Sequence, residues 1–211
     1  MRILYFSFFI VIVDQVTKFF VKGLNIPSLG IALKGINYGS SVNVIDNVFQ
    51  LTYIENPGIA FGIEFGGKPL RAIIALIAAI LIIYLINKNR NKGIFVRLAY
   101  AFILGGALGN LINRLFDGLI YGTESFLYGN VVDFFYIPGP VIHLLGKTFY
   151  SWPVFNIADL SVTIGFLMLV FGYKKILVNK SDEVIETSPG LENNIDGTIS
   201  EKSIIQQCCN L

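Results

Sequence analysis

Four long apolar runs, joined by polar connections of unequal length, set the order of this chain. They cover Ile3 to Val21, Ala72 to Ile86, about Ile94 to Ile112, and Val154 to Tyr173. A helix needs about 20 apolar residues to cross the hydrocarbon layer of a bilayer, with a range of about 17–25. The first, third and fourth runs have that length. The second is short and would span only with its flanks or with local thinning of the bilayer. The first run begins with a core, Ile3 to Val13, of signal-peptide size. It continues into Asp14-Gln-Val-Thr-Lys18 without a small-x-small cleavage site, so it reads as a retained helix.

The connections carry a different pattern. Between Gly23 and Pro69, the stretch Val42-Asn-Val-Ile-Asp-Asn-Val-Phe-Gln-Leu-Thr-Tyr-Ile has β-branched and aromatic residues in partial alternation, and Asn56-Pro57-Gly58 is a turn signal. Phe61-Gly-Ile-Glu-Phe-Gly-Gly reads as a second strand and its exit. The predicted result is a small sheet lying on the membrane surface. The connection from Asp117 to Pro153 is rich in Gly, Pro, Tyr and Phe and reads as an irregular, membrane-hugging loop. From about Asn179 the chain turns to Ser, Asn, Glu, Asp and Thr, a composition that cannot bury enough surface to fold alone. The predicted fold is therefore membrane α-helical. Four transmembrane helices, a small extracytoplasmic β-sheet (about 23–69) and an outer loop (about 115–153) make a domain of residues 1–178. Residues 179–211 form a disordered tail.

Composition agrees with a membrane protein: 54% of the 211 residues are apolar and only 14% charged, where a soluble domain has about 25%. Mean hydropathy is +0.66. The net charge of +2 gives no reason to expect a nucleic-acid partner. Cys208 and Cys209 are adjacent, which suits neither a disulfide framework nor a closed zinc site. Lys and Arg placement sets orientation. Lys88, Arg90, Lys92 and Arg97 crowd the short link between the second and third runs, and Lys174, Lys175 and Lys180 follow the fourth. Both termini and the short link are thus expected in the cytoplasm, with the two long connections outside.

This orientation brings polar residues of three helices to one depth. Asp14 and Lys18 lie in the outer half of the first, Asn110 and Arg114 at the outer end of the third, and Asn156 and Asp159 at the start of the fourth. The spacings of four, four and three residues place each pair on one helix face. Gly105, Gly106, Ala107 and Gly109 would let the third helix approach its neighbours closely. The second run adds nothing polar. Singly, each residue has a plainer use. Asp14 and Lys18 can neutralise each other, Arg114 can snorkel, Asp159 can cap a helix, and Asn56 can serve a turn.

Ionisable residues at membrane depth nevertheless point to function. The only histidine is His143, and nothing around Ser151 or Ser161 resembles a nucleophile elbow. No His, Cys or acidic cluster has metal-ligand spacing, and no cofactor is expected. Asp133, in Val131-Val-Asp-Phe-Phe, and Asp159 could together activate water: held close, they cannot both ionise, so one is base and the other acid. That chemistry hydrolyses a peptide without metal or cofactor.

Five motifs in order make the pattern specific: Asp14-Gln-Val-Thr-Lys18, Asn56-Pro-Gly-Ile-Ala-Phe-Gly62, Gly105-Gly-Ala-Leu-Gly-Asn-Leu-Ile-Asn-Arg114, Val131-Val-Asp-Phe134 and Phe155-Asn-Ile-Ala-Asp159. In these the chain resembles the lipoprotein signal peptidases (signal peptidase II), bacterial membrane aspartic proteases, over about Ile3 to Tyr173. The resemblance implies a catalytic dyad of Asp133 and Asp159, with Asn110, Arg114 and Asn156 orienting substrate and dyad. It implies support from Asn56, Asp14 and Lys18. It also implies an inner-membrane enzyme, expected to act as a monomer among membrane lipids, that cuts diacylglyceryl-modified prolipoproteins just before the lipidated cysteine. The chain departs from the family at Asn113, where Asp is common, and in longer segments on either side of Asp133. The competing readings are an ion-coupled transporter using Asp14, Lys18, Arg114 and Asp159 as a relay, and a structural subunit with interhelical charge pairs.

Overall fold

The first helix, α1 (Ile3–Lys22), is built inside out relative to a helix of a soluble protein. Its buried stripe is Ile3, Ser7, Ile10, Val11, Asp14, Lys18 and Val21, at helical spacing. The faces turned outward carry Tyr5, Phe8, Phe9 and Phe20. Lipid accepts such aromatic and aliphatic surface, and the charged residues find partners only inside the bundle. The fold is a computed structural model that describes residues 2–26, 30–58, 66–139, 142–144, 147–149 and 153–186. The chain divides into two compact units, Met1–Val170 and Phe171–Leu211.

Helix α2 (Lys68–Lys88) is longer than its apolar run. Pro69 sits in the first turn, where its missing N–H costs no hydrogen bond, so the helix starts before Ala72. Its 21 residues extend about 32 Å, enough to span without thinning. Only 11% of its most apolar window is buried inside the protein, the signature of a lipid-facing helix. Helix α3 (Ile94–Ile112) runs through a π-helical turn (Asn113–Asp117) into the short α4 (Gly118–Ile120). Helix α5 (Ile157–Glu186) is apolar over Ile157–Gly172 and stays helical beyond residue 178, where composition puts the start of the tail. Residues 187–211, including Cys208 and Cys209, lie outside the described residues.

Small residues bring α3 against α1 and α5. A Cβ on Gly105 would lie 2.8 Å from Ile10 Cβ, and one on Gly106 would lie 2.2 Å from the Ala158 carbonyl oxygen. The Ser7 hydroxyl donates to the Ala101 carbonyl across the same seam, at 2.9 Å.

The connection after α1 forms a hairpin, β1 (Gly23–Ile26) with β2 (Ile31–Lys34), then β3 (Ser41–Ile45) and β4 (Phe49–Asn56). The strand expected at Phe61–Gly67 falls largely on residues 59–65, outside the described residues. The second long connection is not the irregular loop its Gly and Pro content suggests. It supplies β5 (Val131–Tyr136) to a three-stranded antiparallel sheet of order β3-β4-β5, and a hairpin of β6 (Ile142–Leu144) with β7 (Lys147–Phe149). The run Val-Val-Asp-Phe-Phe-Tyr has the β-branched and aromatic content that suits a pleated, half-buried surface. Val21 at the end of α1 packs with Tyr53, Val132 and Phe134, seating the sheet on the helices.

Candidate active site

Asp133 reaches its position through strand pairing. On β5 it stands opposite Ile54, and Asn56 stands opposite Val131, after a register shift between Leu51 and Ile54. Side chains alternate faces along a strand, so the extra residue of this bulge turns Asn56 onto the face of Asp133. Asn56 Nδ2 then donates to Asp133 Oδ2 at 3.0 Å. Its Oδ1 accepts the Gly58 N–H at 2.8 Å, so the turn role and the polar contact coexist in one residue.

Asp159 is held by the start of α5. Phe155 bridges to β5, with its N–H donating to the Phe135 carbonyl at 3.1 Å and its own carbonyl accepting the Phe134 and Phe135 N–H groups at 3.1 and 2.7 Å. That bridge delivers Asn156 and the first turn of α5 beside Asp133. Asn156 is the N-cap. Its Oδ1 accepts the Asp159 N–H at 2.9 Å, and Asp159 Oδ2 accepts the Asn156 N–H at 3.2 Å, a reciprocal capping box. The spacing of three thus reflects a cap rather than two residues on one helical face. A third N-terminal donor, the Ala158 N–H, goes to Asp14 Oδ1 of α1 at 3.0 Å.

The two carboxylates share partners. Asn156 Nδ2, on a fully buried side chain, lies 2.6 Å from Asp133 Oδ1, 3.1 Å from Asn110 Oδ1 and 3.3 Å from the Val132 carbonyl. Asn110 Nδ2 donates to Asp159 Oδ1 at 2.7 Å, and Asn110 Oδ1 accepts from Lys18 Nζ at 2.9 Å. Lys18 closes the chain on Asp14 Oδ2 at 2.8 Å, both side chains being buried. Burial, and then the nearby charge of Asp159, push the Asp133 carboxyl up to about 7; the donors Asn56 and Asn156, and the charge of Lys18, oppose the rise.

Seven of the eight residues singled out from sequence, Asp14, Lys18, Asn56, Asn110, Asp133, Asn156 and Asp159, therefore lie in one hydrogen-bonded network. Arg114, in the π-helical turn, is within electrostatic reach of Asp159 and Asp133. The second helix does add a polar group. Arg71 in its first turn lies beside Gly58, whose backbone has φ +94° and where a Cβ would stand 2.8 Å from Arg71 Cδ and 3.5 Å from Arg114 Nη2. Counting the helix from Ala72 concealed it. Gln15 of α1 also joins the network. Its Nε2 donates to Asp14 Oδ2, the Gly109 carbonyl and Asn113 Oδ1 at 3.0, 2.9 and 3.4 Å.

A second buried cluster borders the first. Lys22 Nζ lies 2.7 Å from both Glu55 Oε1 and Asp117 Oδ2, and 4.0 Å from the centre of the Tyr121 ring. Tyr53 and Asn130 donate to the two Glu55 oxygens at 2.5 and 3.1 Å. Burial pushes the Glu55 carboxyl up, but the bonds from Lys22, Tyr53 and Asn130 outweigh it and hold the group below its ordinary value. The available signal was Lys22 continuing the Asp14–Lys18 spacing of four along α1. Among the described residues no group of three or more His, Cys, Asp or Glu is placed to hold a metal ion.

A family profile described as signal peptidase (SPase) II matches residues 6–174. A lipoprotein signal peptidase of Clostridium novyi is 37% identical over 159 residues, 75% of this chain and 88% of that protein. One from Syntrophus aciditrophicus is 35% identical over 167 residues, 76% and 84% of the two chains. The fold is similar to a bacterial membrane enzyme solved by the in meso method at 2.3 Å resolution, with TM-score 0.59, 28% identity, and 92% and 94% of the two chains covered. A second such structure, at 1.9 Å resolution, gives TM-score 0.58, 30% identity and coverage of 82% and 92%.

Proposed function

The chain belongs to the signal peptidase II family, and we propose that it is a membrane aspartic endopeptidase in which Asp133 and Asp159 activate water. Its substrates are diacylglyceryl-modified prolipoproteins, cut on the N-terminal side of the lipidated cysteine. The observation that carries the reading is Asn156, which donates from its side chain to Asp133 and from its backbone to Asp159. One fully buried residue so fixes two carboxylates from different elements, and no structural requirement of α5 calls for the bond to Asp133.

Asp133, with its proton affinity raised by burial, is the acid, and Asp159 opposite it is the base. Asp159 takes a proton from water as the water oxygen attacks the scissile carbonyl carbon. Asp133 gives its proton to the carbonyl oxygen, leaving a gem-diol. Asp159 then returns its proton to the amide nitrogen while Asp133 takes one from the gem-diol, and the C–N bond breaks. Each aspartate ends as it began. Asn110 and Asn156 orient the pair, Arg114 supplies positive charge near it, and Asp14 with Lys18 anchors α1 to the start of α5.

The basic residues Lys88, Arg90, Lys92 and Arg97 bracket the α2–α3 link, the end of the bundle away from the dyad. This supports a dyad facing outward and both termini in the cytoplasm. Cleavage of a diacylglyceryl-modified prolipoprotein by purified protein in detergent tests the reading. Asp133→Asn and Asp159→Asn should each remove activity while the circular dichroism spectrum stays native. Near-full activity in either variant overturns the dyad.

A further inference from the structure

Where the bundle turns its other end to the membrane surface, α1, α2 and α3 leave a cavity of ≈ 110 Å³ between them. Its lining includes Ile3, Leu4, Ile83, Ile86, Arg90 and Arg97. The site lies roughly 22 Å along α1 from Lys18, remote from the aspartates. We propose that this cavity binds an anionic phospholipid, with the phosphate on Arg90 and Arg97 and an acyl chain along the isoleucine wall. The inference does not rest on the peptidase reading.

Three observations converge. The ion pairs among the described residues use Lys18, Lys22 and Lys68 with Asp14, Glu55, Asp117 and Glu124, all at the opposite end. Among those residues neither the Arg90 nor the Arg97 side chain has a hydrogen-bond or ion-pair partner. Helices α1 and α3 both begin here, without a side-chain cap and without an acidic residue in the first turn. Helix N-termini carry partial positive charge, so their field adds to that of the guanidiniums. Apart from Asn87 the rest of the lining is aliphatic, and it continues from Ile83 along α2 to Ile80, the two being exposed at 47% and 59%.

Planar guanidiniums match phosphate oxygens in a way a lysine does not, and basic pockets between transmembrane helices suit acidic head groups. A free phosphate would satisfy the arginines but leave the isoleucine wall bare. A zwitterionic lipid would bring an ammonium group into a region where the described side chains offer no carboxylate. The anionic phospholipid meets both walls.

The test is native mass spectrometry of the full chain in detergent, titrated with phosphatidylglycerol, phosphatidylcholine of the same acyl chains, and inorganic phosphate. Two basic residues are expected to give phosphatidylglycerol a preference of about 30-fold over phosphatidylcholine. Arg90→Gln and Arg97→Gln should each lower it severalfold, and the double variant should remove it. Lys92→Gln, on the same link but outside the cavity, should leave it within about twofold. Circular dichroism checks that each variant is folded, and the single variants carry the test if the double one is not. Equal retention of both lipids overturns the proposal, as does an effect of Lys92→Gln matching that of the arginines. Displacement of phosphatidylglycerol by millimolar phosphate would assign the site to a free anion instead.

Discussion

Replacing Asn156 should damage stability and chemistry by separable routes. In Asn156→Ala, the Asp159 N–H loses its cap at 2.9 Å, a loss of about 0.5–2 kcal/mol. Asp133 Oδ1 loses its donor at 2.6 Å, and a hydrogen bond to a charged group is worth about 1.5–3 kcal/mol. Together the loss is about 2–5 kcal/mol, discounted for the fraction of Asp133 that is protonated. For a chain of this size that lowers Tm by about 4–20 °C. Activity should fall by about 100-fold, because Asp133 loses the side chain that ties it to the start of α5 and a small misplacement of the pair has that effect. Asn156→Ser separates the two routes. Serine caps a helix as well as asparagine does, but it is too short to reach Asp133. It should recover about 1 kcal/mol of the stability and little of the activity. The assays are thermal unfolding followed by circular dichroism and prolipoprotein cleavage, both in the same detergent. Near-wild-type cleavage by Asn156→Ser would refute the argument that the bond to Asp133 matters, and an unchanged Tm in Asn156→Ala would refute the capping argument.

Four further outcomes follow from the same geometry. If Asp133 must be protonated, kcat/KM falls about tenfold per pH unit above about 7; Asn56→Ala, which removes a donor to the ionised form, should move that limb to higher pH in a pH–rate profile. The raised folded value also means that the native state binds more protons than the unfolded state between about pH 4 and 7. The contribution of this group to stability should therefore decline as pH rises through that window, read as a falling Tm that Asp133→Asn flattens. Lys22→Met strands Glu55 and Asp117 without their cation and should destabilise by about 3–5 kcal/mol, whereas Lys22→Arg should lose much less; equal Tm values for the two would show that the charge does not matter. Gly106→Ala drives a methyl group against the Ala158 carbonyl and should destabilise by about 1–3 kcal/mol, with lower cleavage because α5 carries Asp159; wild-type Tm and rate would show that the helices can part freely.

The helices were legible because lipid imposes a simple rule: a spanning segment must be long, helical and apolar wherever it faces the bilayer. The polar residues that break this rule at Asp14, Lys18, Asn110 and Asp159 identified themselves for the same reason. Asp133 was legible only through its motif, since a carboxylate on a connection carries no such penalty. Helix α2 spans with its flanks, one of the two routes open to a short apolar run: Pro69 permits the helix to start at Lys68, and it runs on to Lys88. Strand β5 is hidden in a loop-like composition because pairing between segments some eighty residues apart leaves no local periodicity beyond six residues of suitable composition.

By itself the sequence determined which segments enter the membrane, which residues are too polar to be there without a partner, and the family. The tertiary structure decided the partners. Whether Asn56 faces Asp133 depends on one bulged residue in β4, and whether Asn156 caps α5 or merely lies on its face depends on the bridge from Phe155 to β5. Each is a register choice that shifts a side chain to the other face for a change of one residue. Such a choice is fixed by long-range packing, here Val21 of α1 against Tyr53, Val132 and Phe134 of the sheet, and not by the residues around it in sequence.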